Sequence, residues 1–350
     1  MITLQDSEKI YIVVAFSDKS GKYARHAAVT LASVFANTSF PVCAYVLHDE
    51  TLTENNRAKL AETATMHGKE IEFIDVSDAY LENAKQIGKE KLEVVERALG
   101  RGTLYRLLID KVITVPRVIY LDCDILVTRD IADLWHVNLD YKAIGCVRDF
   151  CEWENMEKGC KISSRYVKSR RFFGIKQGEY FNAGVLLMNL DAIQTRYNIA
   201  SDFVTFFNKY GSWSLLADQD FLNYIFRNDK KLLDKSFNIT QNLNLAKDEL
   251  SGKIFHTLLA KPYEIYTREN VDDLYWHYLT KTPYCTSQDE LISIMCHELG
   301  AGRYTHRHSS ACVKRLIGNI VKNIKESHLL FDIRAHFTMK KEKEASLTEE

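Results

Sequence analysis

Val118-Ile119-Tyr120-Leu121-Asp122-Cys123-Asp124-Ile125-Leu126-Val127 is an apolar run with two carboxylates planted in its centre. A run of this kind reads as a buried strand. Burying an unpaired carboxylate is strongly unfavourable, so the two charges need a partner. In an extended chain residues i and i+2 point to the same side, so Asp122 and Asp124 are expected to aim together while Cys123 faces the other way. Two carboxylates on one side of a strand end offer hard oxygen ligands of the type that hold Mg²⁺ or Mn²⁺. An ion held in this way commonly serves a phosphate or diphosphate as well as the protein. A bare Asp-x-Asp is more often a pair of solvated aspartates; the apolar residues on both flanks favour the metal site here.

Upstream of this stretch, apolar runs and helical periodicity alternate. Residues 10–16 read as a fully buried strand and 23–36 as a helix with Ala27, Leu31, Val34 and Phe35 on one face. Residues 42–47 form the next strand, and 53–67 a polar helix opened by a Thr cap. Residues 71–74 are a short strand, and 103–113 a helix stopped by Pro116. Downstream, 143–147 and 184–190 read as strands, a helix begins at 218, and 254–256 is a short strand ahead of Lys261-Pro262. Residues 148–179 are polar, basic and aromatic without a period, a pattern common in functional loops. Strands alternating with helices predict βαβ units and a mostly parallel sheet. Ligands in such sheets bind beyond the carboxyl ends of strands. Asp122 and Asp124 fall there, and so does Ser17-Asp18.

Composition bounds the function. The chain has 350 residues, of which 46% are hydrophobic, enough for one large α/β domain with an extension. A net charge of -1 provides no global field toward nucleic acid, so no nucleic-acid partner is expected. Eight cysteines lie without a C-x-x-C pair, and Cys123 and Cys146 sit inside apparent core strands. That usage predicts free thiols, a reducing compartment and a cytoplasmic location. The N-terminus carries no signal-like segment, and the run at 10–16 is too short to cross a bilayer. Asn37-Thr38-Ser39 and Asn238-Ile239-Thr240 match the glycosylation sequon and are read as chance matches in a cytoplasmic chain.

An ordered set of motifs runs along the chain. Ala15-Phe16-Ser17-Asp18 is followed by Leu104-Tyr105-Arg106-Leu107 and by Tyr120-Leu121-Asp122-Cys123-Asp124. Then come Tyr180-Phe181-Asn182-Ala183-Gly184-Val185-Leu186, Asp218-Gln219-Asp220, and His256 with Lys261-Pro262. This order resembles glycosyltransferase family 8, which includes bacterial lipopolysaccharide galactosyl- and glucosyltransferases. The resemblance implies a GT-A fold: a Rossmann-like, mostly parallel sheet flanked by helices. It further implies a UDP-galactose or UDP-glucose donor, Mn²⁺ with Mg²⁺ as the substitute, and transfer with retention of configuration. It assigns Asp122, Asp124 and His256 to the metal. It assigns Ala15, Asp18, Tyr23, Arg106, Asp122, Cys123, Asn182, Ala183 and Lys261 to the donor, and Gln219 and Asp218 to catalysis. Tyr23 would stack on uracil and Asp18 would hydrogen-bond it. An amide is a poor nucleophile, so Gln219 is expected to give electrostatic support to front-face attack rather than to form a covalent intermediate.

The chain departs from the family pattern in two places. The usual His-Phe-x-Gly-x-x-Lys-Pro-Trp becomes His256-Thr257-Leu258-Leu259-Ala260-Lys261-Pro262-Tyr263, one residue shorter and without the glycine that lets backbone approach a phosphate. Two adjacent acids after the first strand become Ser17-Asp18. The expected domains are a GT-A unit over 1–265 and a mostly helical extension over 266–350 with a disordered, charged end. Residues 303–325 contain Arg307, Lys314, Arg315 and Lys322, with an apolar helical stripe through Val313, Ile317, Ile320 and Ile324. That segment predicts either a helix packed on the catalytic domain or peripheral contact with an anionic membrane face. The acceptor is expected to be an oligosaccharide, lipid-linked glycan or glycoprotein glycan. Two alternatives are a nucleotidyltransferase that makes sugar nucleotides and an inactive sugar-binding scaffold. The first lacks the Gly-rich, basic loop for a triphosphate, and the intact motif set disfavours the second.

Overall fold

The computed structural model describes residues 9–87, 93, 96, 100–149, 170, 172–176, 178–211, 214, 216–240, 245–258, 261–264 and 269–301. The first half comprises β1 (Ile10–Ala15), α1 (Tyr23–Phe35), β2 (Val42–His48), α2 (Glu54–Met66), β3 (Glu70–Asp75) and α3 (Ser77–Ile87). A 3-10 segment (Arg101–Leu108) runs into α4 (Ile109–Val112), then β4 (Arg117–Leu121), β5 (Ile125–Val127) and α5 (Ala132–Trp135). The remainder is β6 (Ile144–Arg148), β7 (Phe181–Asn189), α6 (Leu190–Arg196), α7 (Ile199–Tyr210), α8 (Ala217–Ile225), β8 (Lys230–Leu232), β9 (Ile254–His256), α9 (Glu269–Leu279) and α10 (Gln288–Ala301).

Among the described residues the main sheet has seven strands in the order β3-β2-β1-β4-β7-β6-β8. β1 pairs parallel with β2 and β4, β2 with β3, and β6 with β8, while β7 runs antiparallel to β4 and β6. The sheet is therefore mostly parallel, as the alternating sequence pattern predicts. Its central strand shows why. Ile10, Ile12 and Val14 of β1 enter one core with α1, α9 and α10, and Val13 and Ala15 enter a second core with the 3-10 segment, α7 and α8. A strand covered on both faces needs a continuous apolar run rather than an alternating one. Small residues Ala24, Ala27, Ala28 and Ala32 let α1 lie close to the sheet, and all are fully buried. α2 starts where expected: the Thr53 side chain accepts from the Asn56 backbone N–H at 3.2 Å.

Three local expectations are corrected. The Asp-Cys-Asp run is not one strand. β4 ends at Leu121, and β5 belongs to a separate two-stranded sheet in which Ile125 lies opposite His256 of antiparallel β9. The chain turns between the sheets, with the Ile125 N–H donating to the Asp122 carbonyl at 3.3 Å. The side-alternation rule therefore does not govern Asp122 and Asp124; the turn does. The stretch read as an α-helix over 103–113 is 3-10 as far as Leu108. It is pressed onto the end of β1, where a Cβ on Gly102 would lie 2.5 Å from the Ser17 nitrogen. Finally, the strand read over 184–190 begins earlier, at Phe181, so Asn182 and Ala183 also lie inside it. A bulge between Cys146 and Val147 of β6 extends that pairing to Phe181.

Helices α9 and α10 lie beyond the expected boundary at 265. Tyr275, Trp276, Leu279, Leu291 and Met295 join the same core as β1 and α1, so the first part of that segment shares one core with the unit before it. The basic stretch 303–331 and most of the loop 148–179 lie outside the described residues. Both sequon asparagines face inward: Asn37 Nδ2 donates to the Val127 carbonyl at 3.0 Å, and Asn238 is buried. Among the described residues Cys43, Cys123, Cys146, Cys285 and Cys296 are free thiols. No described helix is long and apolar enough to cross a membrane.

Candidate active site

A cavity of about 1000 Å³ opens beyond the carboxyl ends of β1, β2 and β4. Ala15, Tyr23, Arg106, Asp122, Cys123, Asp124, Asn182, Asp218, Gln219, His256 and Lys261 all line it. These residues are scattered in sequence from position 15 to position 261, and the fold gathers them at one end of the sheet. Two expected residues, Asp18 and Ala183, are not in the lining. Ala183 acts through its backbone, its carbonyl accepting from Arg106 and its N–H donating to Gln219.

Asp122, Asp124 and His256 meet on the cavity floor, with one ligand atom from each lying within 4.8 Å of the others. His256 Nε2 is 3.1 Å from Asp124 Oδ1 and 3.6 Å from Asp122 Oδ2. Adjacent ligands of an octahedral divalent ion bound at about 2.1 Å are about 3 Å apart, so this spacing fits one. The buried Nε2 atom is near both carboxylates but has no hydrogen-bond partner among the described residues. The other ring nitrogen explains its state. His256 Nδ1 lies 3.1 Å from Asn182 Oδ1, which also accepts from the Gly184 N–H and from Asn238 Nδ2, each at 2.9 Å. The Gly184 N–H can only donate, so the atom facing it is the amide oxygen, and His256 Nδ1 must carry a proton. In the neutral ring the lone pair on Nε2 then points at two carboxylates, an arrangement that a cation relieves. Gly184 makes this closeness achievable: a Cβ there would collide with His256 Cε1 and lie 2.8 Å from Asp122 Oδ2.

The charges around the floor are paired. Arg106, only 9% exposed, reaches Asp122 Oδ1 at 2.8 Å and Asp218 Oδ2 at 3.1 Å, and stacks over the Tyr120 ring. Burial opposes its charge, but Asp122, Tyr120 and Asp218 outweigh burial and hold the guanidinium protonated. Arg106 is therefore a buried ion-pair partner on the cavity lining. Burial pushes the Asp218 carboxyl up to about 6, against the opposing pull of Arg106. Asp218 lies in the first turn of α8, whose amide-rich N-terminus suits an acid. Lys261 Nζ is 2.8 Å from Asp124 Oδ2. Burial again opposes the charge, and Asp124 outweighs it.

Gln219 is held at both ends of its amide. Its oxygen accepts from the Ala183 N–H at 3.0 Å and Asn182 Nδ2 at 3.2 Å; its nitrogen donates to Tyr180 Oη at 3.3 Å and Asp149 Oδ2 at 3.4 Å. Tyr180 in turn donates to Asp220 Oδ1 at 2.6 Å. The sequence assigned no site role to Asp149, to Tyr180, which heads a family motif, or to Asn238, which reads as a chance sequon. Asp149 directly follows β6, as Asp49 directly follows β2, and both mark carboxyl ends of parallel strands. The rule that located Asp122 could have located them.

Tyr23, 40% exposed, also lines the cavity and presents its ring beside Phe16. Burial raises its hydroxyl to about 12. The Asp18 carboxylate is engaged within the protein. Its Oδ1 accepts from the backbone N–H groups of Tyr23 and Ala24 at 2.7 and 3.2 Å, and its Oδ2 from Asn56 Nδ2 at 2.7 Å. These bonds cap α1 and set Tyr23 at the rim. Ser17, Lys19, Asp49, Glu50 and Thr51 are among the polar residues that line the cavity. Burial raises the Asp49 carboxyl, but bonds from Thr51, Tyr105 and Ser17 outweigh burial and lower it.

The family model described as "Glycosyl transferase family 8" matches residues 13–261. General stress protein A of Bacillus subtilis (strain 168) is 27% identical over 301 residues, covering 83% of this chain and 94% of that protein. Glycosyltransferase GlyB of Streptococcus pneumoniae serotype 4 is 23% identical over 315 residues, covering 83% of this chain and 68% of that protein. Among solved structures, galactosyltransferase LgtC in complex with donor and acceptor sugar analogs superposes with a TM-score of 0.61 at 25% identity, covering 78% of this chain and 96% of that chain.

Proposed function

Because the chain belongs to glycosyl transferase family 8, we propose that this glycosyltransferase moves a hexose, galactose or glucose, from a UDP-sugar to a glycan or glycoconjugate, with retention of configuration and a divalent ion, Mn²⁺ or Mg²⁺. The observation that carries the reading is the convergence of Asp122, Asp124 and His256 on one cavity floor beside Lys261. In that reading these three residues hold the ion, which when bound stabilises the charge of the departing diphosphate. Lys261 offers a point charge to the same diphosphate. Asp218 and Asn182 face the sugar hydroxyls, and Tyr23 the uracil. Asp18 acts by setting Tyr23 through α1. Ser17 and Thr51 are the hydroxyls within reach of the base edge.

Given retention, the state of Gln219 favours front-face attack over a covalent intermediate. Its amide oxygen already accepts two hydrogen bonds, which further weakens an already poor nucleophile. Front-face attack avoids that problem. The acceptor hydroxyl oxygen bonds to the anomeric carbon as the bond to the β-phosphate breaks, and its proton passes to the departing diphosphate oxygen. The fixed dipole of Gln219 supports the positive charge that develops on the sugar ring.

The deciding experiment incubates the chain with UDP-galactose or UDP-glucose and an oligosaccharide acceptor, with and without Mn²⁺ or Mg²⁺, and follows UDP release and the anomer transferred by NMR. Metal-dependent UDP release with an α-linked product is expected. Release equal in a chelator contradicts the metal assignment, and a β-linked product contradicts retention. Tyr23→Ala is expected to raise the KM for UDP-sugar about tenfold with kcat little changed, since one base–aromatic stack is worth about 1–3 kcal/mol. Initial rates against donor concentration check this; an unchanged KM removes Tyr23 from the base site.

A further inference from the structure

Asn238 is 3% exposed, lies outside the cavity lining, and sits just after a short 3-10 turn, Lys235–Phe237. The next residue pins it to the strand that carries His256. The Ile239 N–H donates to the Ile254 carbonyl at 2.8 Å, and the His256 N–H donates to the Ile239 carbonyl at 2.9 Å. From that position Asn238 Nδ2 donates to Asn182 Oδ1 at 2.9 Å. The amide has only one workable orientation. Turning it over would set Asn238 Oδ1 against Asn182 Oδ1, two acceptors with no proton between them.

We infer that Asn238 is a positioning residue for the metal centre. Together with the Gly184 N–H it holds the Asn182 amide with its oxygen toward His256 Nδ1, and so keeps the His256 Nε2 lone pair aimed between Asp122 and Asp124. The inference rests on the metal reading of the preceding section. The chain of contacts is continuous: Asn238 Nδ2 to Asn182 Oδ1, Asn182 Oδ1 to His256 Nδ1, and His256 Nε2 to the two carboxylates. The same Asn182 amide donates from its nitrogen to Gln219. Reversing it would therefore disturb the metal ligand and Gln219 together. Groups that orient a ligating histidine through its second nitrogen commonly change metal affinity 10–100-fold when removed.

Asn238→Asp separates orientation from charge. It keeps the size of the side chain, removes the donor and adds a negative charge near the site. Simple electrostatics predicts tighter binding of a cation; loss of positioning predicts weaker binding. The measurement is Mn²⁺ affinity of the full chain, read as free-ion EPR signal with no nucleotide and no turnover, with a thermal melt in parallel. Wild-type chain is expected to bind Mn²⁺, and Asn238→Asp and Asn238→Ala to bind it about tenfold more weakly with a melting transition retained. Equal or tighter binding by Asn238→Asp overturns the inference. If that variant does not fold, unchanged affinity in Asn238→Ala overturns it equally. Absence of Mn²⁺ binding by the wild-type chain overturns the metal reading itself, which is a different result from a wild type that binds and variants that bind as well.

Discussion

Asp124→Ala is expected to lower sugar transfer by about 10³-fold or more while the chain still folds, because it removes one of the ligands that would stabilise the leaving diphosphate, an effect worth several kcal/mol. The fold should survive. The Lys261 ammonium that loses its partner is a quarter exposed, at 24%, and can turn to water. Asp122→Ala should abolish transfer equally but harm stability more. It strips a partner from Arg106, whose side chain is only 8% exposed and is left with Asp218 and two backbone carbonyls. Leaving part of a buried charge unsatisfied costs about 1–3 kcal/mol. Transfer assays at saturating Mn²⁺, paired with thermal melts, test both statements. Wild-type turnover in either variant rules out the carboxylates as metal ligands, and equal melting temperatures rule out the proposed difference between the two ion pairs.

Gly184→Ala is the second large effect, produced by a single methyl group. The added carbon would sit 2.6 Å from His256 Nδ1 and 2.8 Å from Asp122 Oδ2, closer than carbon approaches either atom. Gly184 lies inside β7, bonded to its neighbours through the Asp122 N–H and Asn182 Oδ1, so the strand cannot easily retreat. The side chains must move instead, and both belong to the proposed metal site. We expect activity at ordinary Mn²⁺ to fall about 100-fold through loss of ligand geometry. Overpacking should destabilise the chain by about 1–3 kcal/mol. A Mn²⁺ titration of activity and a denaturant melt would show both, with the titration midpoint moving to higher metal. A variant with the wild-type midpoint would mean that the site has more room than the structure gives it.

The parallel core was legible because its strands are covered on both faces, and continuous apolar runs such as residues 10–16 leave few other readings. The acidic pair of the candidate site was legible for a chemical reason, since charges inside apolar segments need a partner; His256 was legible only through the family motif. The geometry joining them was not. Periodicity describes residues along one strand, whereas Asp122 and Asp124 converge across a turn between two sheets. The role of Asp18 was hidden for a related reason. An acid after a strand reads the same whether it faces a ligand or caps the following helix, and only the bonds to Tyr23, Ala24 and Asn56 decide it. Asn238 carried no signal, since a buried amide acting through another amide leaves no local pattern.

The turn at Asp122-Cys123-Asp124 also makes the site a gauge of assembly. Asp122 leaves the large sheet, Asp124 enters the small one, His256 stands on the small sheet, and Asn182 and Gly184 stand on the large one. No element carries the whole constellation. Its spacing measures the distance between two separately paired sheets, set by the core they share. A shift of a few tenths of an ångström, caused by a substitution far from the cavity, would alter the ligand spacing while leaving each sheet intact. Metal affinity should therefore register poor packing between the sheets before any melting curve does.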